Sequence, residues 1–279
     1  GNEESSARVW LKLGLVYNAN FQFEKAHQAN ETAFSMQQAA REKNPPLEDR
    51  KGYSLCTTVR FPQTTLDPGR VVWSQDTIVV ENLFSGLTRP DKEINVLPEV
   101  ARSWQVLDGG KRYIFHLRDD WHWTDGTPVT AGDFEWAWKR NLDPILHSDV
   151  ARFLFDVVGA RDYYEQKNPD PDSVGVRALN SHTLEVRLVK PVAYFPFIVT
   201  MPITYPLPGR VIISKGQDWW KPEHILSNGP GRLVEYDAEQ GGVFERNPLY
   251  PGLITGNIQR KEWKLITWAD DIVKAYLED

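Results

Sequence analysis

Several side chains in the sequence have the chemistry of metal ligands or of acid–base groups. His116 and His122 flank a predicted turn, but no third ligand follows at a spacing typical of a metal site. The aspartates of Asp119–Asp120 and of Asp270–Asp271 are adjacent, so their carboxylates tend to point apart, which is poor geometry for a shared proton. We therefore expect structural or solvated roles for these residues, with no metal ion and no cofactor.

Nucleophilic and nucleotide-binding motifs are also incomplete in the sequence. Cys56 is the single cysteine, and it has no sequence-level partner arrangement that would activate a thiol. The stretch Gly229–Gly231 starts like a dinucleotide fingerprint, but Val234 stands where that motif needs its third glycine. A serine-hydrolase elbow, a Walker loop and a zinc-protease motif are all missing from the sequence. The sequence therefore contains no recognisable catalytic motif, and we expect that the protein is not an enzyme.

The composition indicates a globular chain with one large domain and an appendage. Of 279 residues, 41% are hydrophobic, which is enough for a sizeable core. The 38 acidic and 32 basic residues are scattered and give a net charge of -6, so nucleic acid is not expected as a partner. Gly1–Glu4 lacks the basic and apolar regions of a signal peptide, so either a signal was removed or the protein is not secreted.

Residues 5–42 have the periodicity of two helices separated by a break at Asn18–Asn20. This hairpin resembles a tetratricopeptide repeat, although Gln38 replaces the closing proline and an ordinary amphipathic helix pair is the alternative. A single repeat does not bury its own apolar face. We therefore expect either a longer helical array or a hairpin that packs on the neighbouring domain. The residues that carry the resemblance are Trp10, Leu13, Gly14, Tyr17, Ala26 and Ala33.

A charged, proline-bearing segment at 43–52 predicts an exposed linker, after which the pattern changes to short strands. Alternation between Trp104 and Leu117 around an Asp-Gly-Gly turn predicts a β-hairpin. The segment Thr130–Asp133 predicts a capping box, and the helix that follows should bury Trp138. The fold class expected from these elements is mixed α/β or α+β.

Four motifs in order make the sequence similar to family 5 of the extracellular solute-binding proteins, the oligopeptide- and dipeptide-binding type. The resemblance covers about residues 60–279 and continues through several shorter motifs further along the chain. The four motifs are Thr65–Pro68, Leu97–Trp104, Tyr113–Arg118 and Trp123–Phe134.

The resemblance implies a lobe like that of type II periplasmic binding proteins, joined to a domain peculiar to the family. It implies that 53–84 and 209–279 form an incomplete first lobe and that 85–208 form the second domain. The end of the chain at 275–279 resembles the family's crossing into the opposing lobe. We therefore expect an incomplete clamshell preceded by a short all-α hairpin.

The resemblance also implies a function: capture of short peptides in a cleft and their delivery to the membrane subunits of an ABC permease, outside the cytoplasm. An extended peptide is held best by exposed main-chain groups with loosely selective side-chain pockets. Gly231 departs from the family, which usually has an aromatic residue there. The ligand-binding residues that we predict are Val72, Trp73, Ser74, Met201, Asn228, Gly229 and Pro230.

An alternative interpretation assigns the main function to the helical repeat. In this interpretation the chain belongs to an intracellular regulatory or scaffold protein, in which tetratricopeptide helices bind a protein partner and the solute-binding part senses a ligand. The compartment would then be the cytoplasm.

Overall fold

A computed structural model describes residues 2–43, 53–59, 64–252 and 256–266, which belong to two compact units. Unit 1 comprises Gly1–Asp49, Ser85–Asp119 and Thr130–Leu207, and unit 2 comprises Arg50–Phe84, Asp120–Val129 and Pro208–Asp279. Residues 120–129 therefore lie in unit 2 and not with 85–208, and the helical hairpin clusters with unit 1. Most of the predicted linker, 44–52, and the chain end at 275–279 lie outside the described residues.

The elements follow one another in mixed order, as the sequence predicts. The helices are α1 (Asn2–Ala19), α2 (Phe23–Lys43), α3 (Ser74–Leu83), α4 (Ala131–Asn141), α5 (Ala160–Tyr164), α6 (Phe195–Ile198) and α7 (Gly209–Lys215). The strands are β1 (Tyr53–Val59), β2 (Thr88–Pro90), β3 (Val96–Pro98), β4 (Ala101–Leu107), β5 (Arg112–Leu117), β6 (Val176–Asn180), β7 (Thr183–Arg187), β8 (Gly231–Asp237), β9 (Gly241–Arg246) and β10 (Ile258–Leu265).

Unit 1 is built on an antiparallel sheet of order β4-β5-β7-β6. The predicted hairpin is confirmed: β4 and β5 are joined at Asp108–Gly110, where Gly109 and Gly110 have positive φ angles of 64° and 92°. The alternating apolar side chains of β5 supply the core, and Phe115 is only 1% exposed. Short strands β2 and β3 pair separately.

The capping box at the start of α4 is also confirmed. The Thr130 N–H donates to Oδ2 of Asp133 at 2.8 Å, and the pair satisfies polar groups that a helix start leaves unpaired. The helix buries the Trp138 ring completely, and its indole Nε1 donates to the Thr204 carbonyl at 2.8 Å. Both Trp104 and Trp138 are buried, at 5% and 0% exposure, as expected from the sequence.

The N-terminal helical hairpin is present, and it packs on the sheet of unit 1 through α2. Small residues bring α1 and α2 together; a Cβ on Gly14 would lie 2.5 Å from Oδ1 of Asn30. On the other side of α2, the Glu31 carboxylate accepts hydrogen bonds from Arg102 Nε at 3.0 and 3.1 Å and from the Ser103 hydroxyl. The hairpin therefore packs on the neighbouring domain, whereas its assignment as a tetratricopeptide repeat stays a prediction.

Two histidines meet at the junction between α2 and β5. The rings of His27 and His116 lie 5.2 Å apart between centroids at an angle of 35°. Nδ1 of His27 and Nε2 of His116 are buried and form no hydrogen bond with any described residue. Burial and then the charge of His27 lower the pKa of His116, against the opposing effect of Glu31. The junction therefore favours the neutral form of His116.

We expect the free energy of unfolding of unit 1 to fall as the pH drops below about 6.5, the ordinary pKa of histidine. In that range the unfolded chain binds a proton at His116 and the folded unit does not, so acid favours unfolding; the effect levels off below the folded pKa. Urea unfolding between pH 8 and pH 5 measures it, with His116→Gln as the non-titrating control. Equal pH dependence in both proteins would contradict the prediction.

A second loss of stability should follow at lower pH from Glu31. Burial alone would raise the pKa of this carboxyl, but the hydrogen bonds from Ser103 and Arg102 and the charge of Arg102 outweigh it and lower the pKa. The contribution of Glu31 to stability is therefore fully present above 4.5, the ordinary pKa of a glutamate, and is lost as the pH falls through the lower pKa of the folded state.

Unit 2 is built on a sheet of order β1-β10-β9-β8, in which β1 and β10 are parallel and the other pairs antiparallel. Trp263 of β10 stacks on Phe244 of β9 with ring centroids 4.3 Å apart. Gly242 makes room for the indole, because a Cβ there would lie 2.3 Å from Cη2 of Trp263. Helix α3 packs against β8 and has its buried face at Val79, Val80 and Leu83.

Replacement of Trp138 by Ala should lower the stability of unit 1 by about 3–5 kcal/mol, because it empties a buried indole site and leaves the Thr204 carbonyl unpaired. Thermal unfolding followed by circular dichroism measures the loss. The control is Trp73→Ala, in which the removed ring is 58% exposed. An unchanged melting temperature in the Trp138 variant would show that this core does not depend on the ring.

Candidate functional site

Six of the seven predicted ligand-binding residues lie in unit 2, at the two ends of α3. Val72–Ser74 lead into the helix, and Asn228–Pro230 meet its last turn. Ten residues at about 1.5 Å each separate the two groups by roughly 14 Å along the helix axis. The structure therefore places them near one helix but does not bring the two groups together.

The segment before α3 is extended but does not belong to a sheet. Trp73 has φ and ψ angles of -102° and 147°, and Ser74 begins the helix. The side chains of Val72 and Trp73 are 50% and 58% exposed, and no hydrogen bond from the described residues uses the main-chain groups of Val72. The Asp67 carboxylate accepts from the Gly69 N–H at 2.9 Å and so fixes the turn just upstream. An extended ligand would meet an exposed ring and unused main-chain groups here.

The loop at the other end of α3 is buried, and its main chain is already bonded. The N–H groups of Asn228 and Gly229 both donate to the Leu83 carbonyl, at 3.1 and 2.8 Å. The Asn228 carbonyl accepts from Trp121 Nε1 at 2.8 Å, and the Gly229 carbonyl accepts from Asn247 Nδ2 at 2.9 Å. These bonds give Asn228 and Gly229 a positioning role, and direct ligand contact by either residue stays a prediction.

Pro230 borders a cavity of about 260 Å³ within unit 2. The cavity has apolar walls from Leu55 and Phe244 and two basic residues, Arg246 and Lys261. Burial lowers the pKa of Lys261. No sequence motif marks these two residues; the available signal in the sequence is that Lys261 lies two positions before Trp263 and so shares its face of β10.

Met201 lies in unit 1 and is half-buried. Its carbonyl accepts the Thr204 N–H at 2.9 Å and the Thr204 hydroxyl at 2.7 Å, which closes the turn at Pro202–Thr204. The Asn141 side chain donates to Ile203 in the same turn at 2.8 Å. Met201 therefore shapes a tight turn, and its contact with a ligand stays a prediction.

Metal and thiol chemistry find little support around these residues. Within the ranges that the structure describes, no three histidine, cysteine or acidic side chains stand close enough to hold a metal ion. Cys56 is exposed on β1. His122 Nδ1 lies 3.1 Å from the Asp120 carbonyl, a local contact within the turn. None of the described helices is long and apolar enough to cross a membrane.

The fold is similar to part of the fold of substrate-binding proteins of ABC transporters. The substrate-binding domain of an oligopeptide ABC transporter from Bacillus anthracis superposes with a TM-score of 0.78 at 29% identity, covering 82% of this chain and 44% of that one. The family model of bacterial extracellular solute-binding proteins, family 5 Middle, matches residues 95–277. The chain belongs to this family.

Curated relatives extend the same similarity. The chain is 38% identical over 187 residues to the probable deoxycholate-binding periplasmic protein YgiS of Escherichia coli, covering 67% of this chain and 35% of that protein. It is 38% identical over 188 residues to the periplasmic oligopeptide-binding protein OppA of Escherichia coli, covering 67% and 34%. The chain thus spans about a third of the length of these relatives.

Replacement of Gly229 by Ala should destabilise unit 2 by about 1–3 kcal/mol, because the added Cβ would lie 2.7 Å from the Leu83 carbonyl carbon and from the Phe84 nitrogen. Urea unfolding measures the loss. The control is Gly132→Ala in the first turn of α4, where the nearest atom is the Thr130 hydroxyl oxygen at 3.5 Å. Equal stability of the two variants would contradict the close approach at Gly229.

Proposed function

We propose that the chain is part of a solute receptor that captures short peptides and delivers them to the membrane subunits of an ABC permease. The observation that carries the proposal is the family match over residues 95–277, together with relatives named as oligopeptide- and dipeptide-binding proteins. Such a receptor binds and releases its solute without chemical turnover. Its place is outside the cytoplasm, since relatives such as OppA are named periplasmic.

The segment Val72–Ser74 is the ligand contact that the proposal favours in unit 2. Its main chain is extended, and Val72 leaves an N–H and a carbonyl unused by the described residues. A peptide can pair with such groups irrespective of its sequence, while the exposed Trp73 ring packs against a side chain. Asn228 and Gly229 support this contact indirectly, because they fix the far end of the same helix.

A protein partner of the helical hairpin would have to bind α1 or the free parts of α2. One side of α2 is taken by the sheet of unit 1 through Glu31 and Arg102. On α1, Val9 and Val16 are 64% and 54% exposed. Two separated valines do not identify a partner, so peptide capture remains the proposed function.

We expect these 279 residues, which span about a third of the relatives' length, to bind tri- to pentapeptides no more tightly than about 1 mM, or roughly -4 kcal/mol. Tight sites enclose about 70–90% of a ligand, and one exposed segment encloses much less. Calorimetry and ligand-observed NMR with a mixed peptide library measure the affinity. Saturable micromolar binding would mean that a complete cleft forms within these residues or between two copies.

Trp73→Ala should weaken this peptide binding about threefold to tenfold, because it removes the exposed ring while the main-chain contacts remain. The matched control is Ile213→Ala, which removes another exposed apolar side chain of unit 2, 74% exposed on α7. An equal affinity for the wild type and the Trp73 variant would remove Val72–Ser74 from the site.

A further inference from the structure

The cavity in unit 2 lies on the core face of its sheet, next to the end of α3. Leu55, Lys261 and Phe244 are direct neighbours across β1, β10 and β9, so their side chains lie in one row on one face. Phe244 and Trp263, on this face, are 3% and 2% exposed. Lys261 thus lies between two apolar neighbours, at a position where an apolar side chain is usual.

Arg246 places a second cation on the same face. It lies two residues beyond Phe244 on β9, and alternate residues of a strand share a face. Within the described residues, neither Arg246 nor Lys261 forms an ion pair or a side-chain hydrogen bond. The cavity therefore has two cationic groups that the described part of the chain does not neutralise.

Glu245, the one acidic residue that the described part of the chain places at the cavity, does not supply the missing charge. Glu245 is the neighbour of Arg246 in sequence, so its side chain points to the opposite face. There its carboxylate pairs with Arg232 at 2.6 Å and with Arg260 at 3.6 Å. Arg232 and Arg260 on the outer face therefore have a counterion, while Arg246 and Lys261 on the cavity face have none among the described residues.

The rest of the lining combines the polar residues Asn82 and Gln259 with an apolar part that is open to solvent. Leu55 and Ile258 border the cavity at 37% and 44% exposure, and Phe244 of β9 forms a buried part of its wall. An apolar cavity of about 150 Å³ holds benzene. The volume of about 260 Å³ therefore leaves room for a small ring or short aliphatic chain and for one charged group.

We propose that this cavity binds a small carboxylate with an apolar tail, with the carboxylate paired to Lys261 and Arg246 and the tail against Leu55, Phe244 and Ile258. Charge complementarity selects the anion, because a partly desolvated ammonium group gains most from a charged hydrogen-bond acceptor. Burial of the apolar tail adds favourable binding free energy. This site differs from the peptide contact at Val72–Ser74, and neither depends on the other.

The probe is 3-phenylpropionate, and its neutral isostere 3-phenylpropanamide is the ligand control. NMR titration of the 279-residue protein at pH 7 should show saturable binding of the carboxylate and at least tenfold weaker binding of the amide. Lys261→Met should weaken carboxylate binding by about tenfold or more. Lys264→Met is the matched control, because Lys264 lies on the same strand but on the opposite face, 3.6 Å from Glu262. That variant should bind like the wild type.

Three results would overturn the proposal: no carboxylate binding by the wild type, equal binding of carboxylate and amide, or equal binding by the wild type and Lys261→Met. If the Lys261 variant does not fold, Arg246→Met and the ligand pair on the wild type decide the question. Sedimentation velocity tests whether a second copy of the chain occupies the cavity. A dimer that dissociates in Lys261→Met without any ligand would mean that a second copy fills the cavity.

Discussion

The carbonyl of Leu83, at the end of α3, accepts two N–H groups from the loop at Asn228–Gly229, and unit 2 depends on this junction. A helix end leaves carbonyls without partners, and burial makes each unpaired one costly. The loop pairs this carbonyl from a position 145 residues further along the chain. Because the approach leaves no room for a Cβ, glycine is required at 229. Strand β8 starts directly after the loop, so the junction also sets where the sheet face meets α3.

Local rules in the sequence were sufficient for elements whose partners are near in sequence. The β4–β5 hairpin and the capping box of α4 depend on residues within a few positions of one another, and both are confirmed. The two N-terminal helices also follow from their periodicity. The position of residues 120–129 could not be read in this way, because Trp121 is held by the Asn228 carbonyl, 107 residues away. Proximity in sequence does not show such a long-range partner.

For the candidate site, too, the sequence predicts local features but not the contacts between residues far apart in sequence. Exposure of Val72 and Trp73 agrees with a binding segment, but the sequence pattern could not tell an extended loop from a strand edge, because both favour β-branched and aromatic residues. Asn228 and Gly229 belong to a recognisable motif, yet a motif does not distinguish ligand contact from the support of a helix end. At Gly231, where the resemblance implies that relatives have an aromatic residue, a Cβ would lie only 3.0 Å from the Asn82 carbonyl oxygen, which favours glycine in this chain.

Two partly buried charged residues, Glu31 and Lys261, differ in whether the protein supplies them with partners. Glu31 is removed from water at the junction with β4, but Arg102 and Ser103 supply donors, so the ion is compensated within unit 1 and holds α2 on the sheet. Lys261 is removed from water to a similar degree and has no such partner among the described residues. Burial without compensation costs several kcal/mol per ion in general, so it persists only where the group can reach solvent or meet a counterion. The open cavity beside Lys261 supplies the first of these, and an anion with an apolar tail would supply the second.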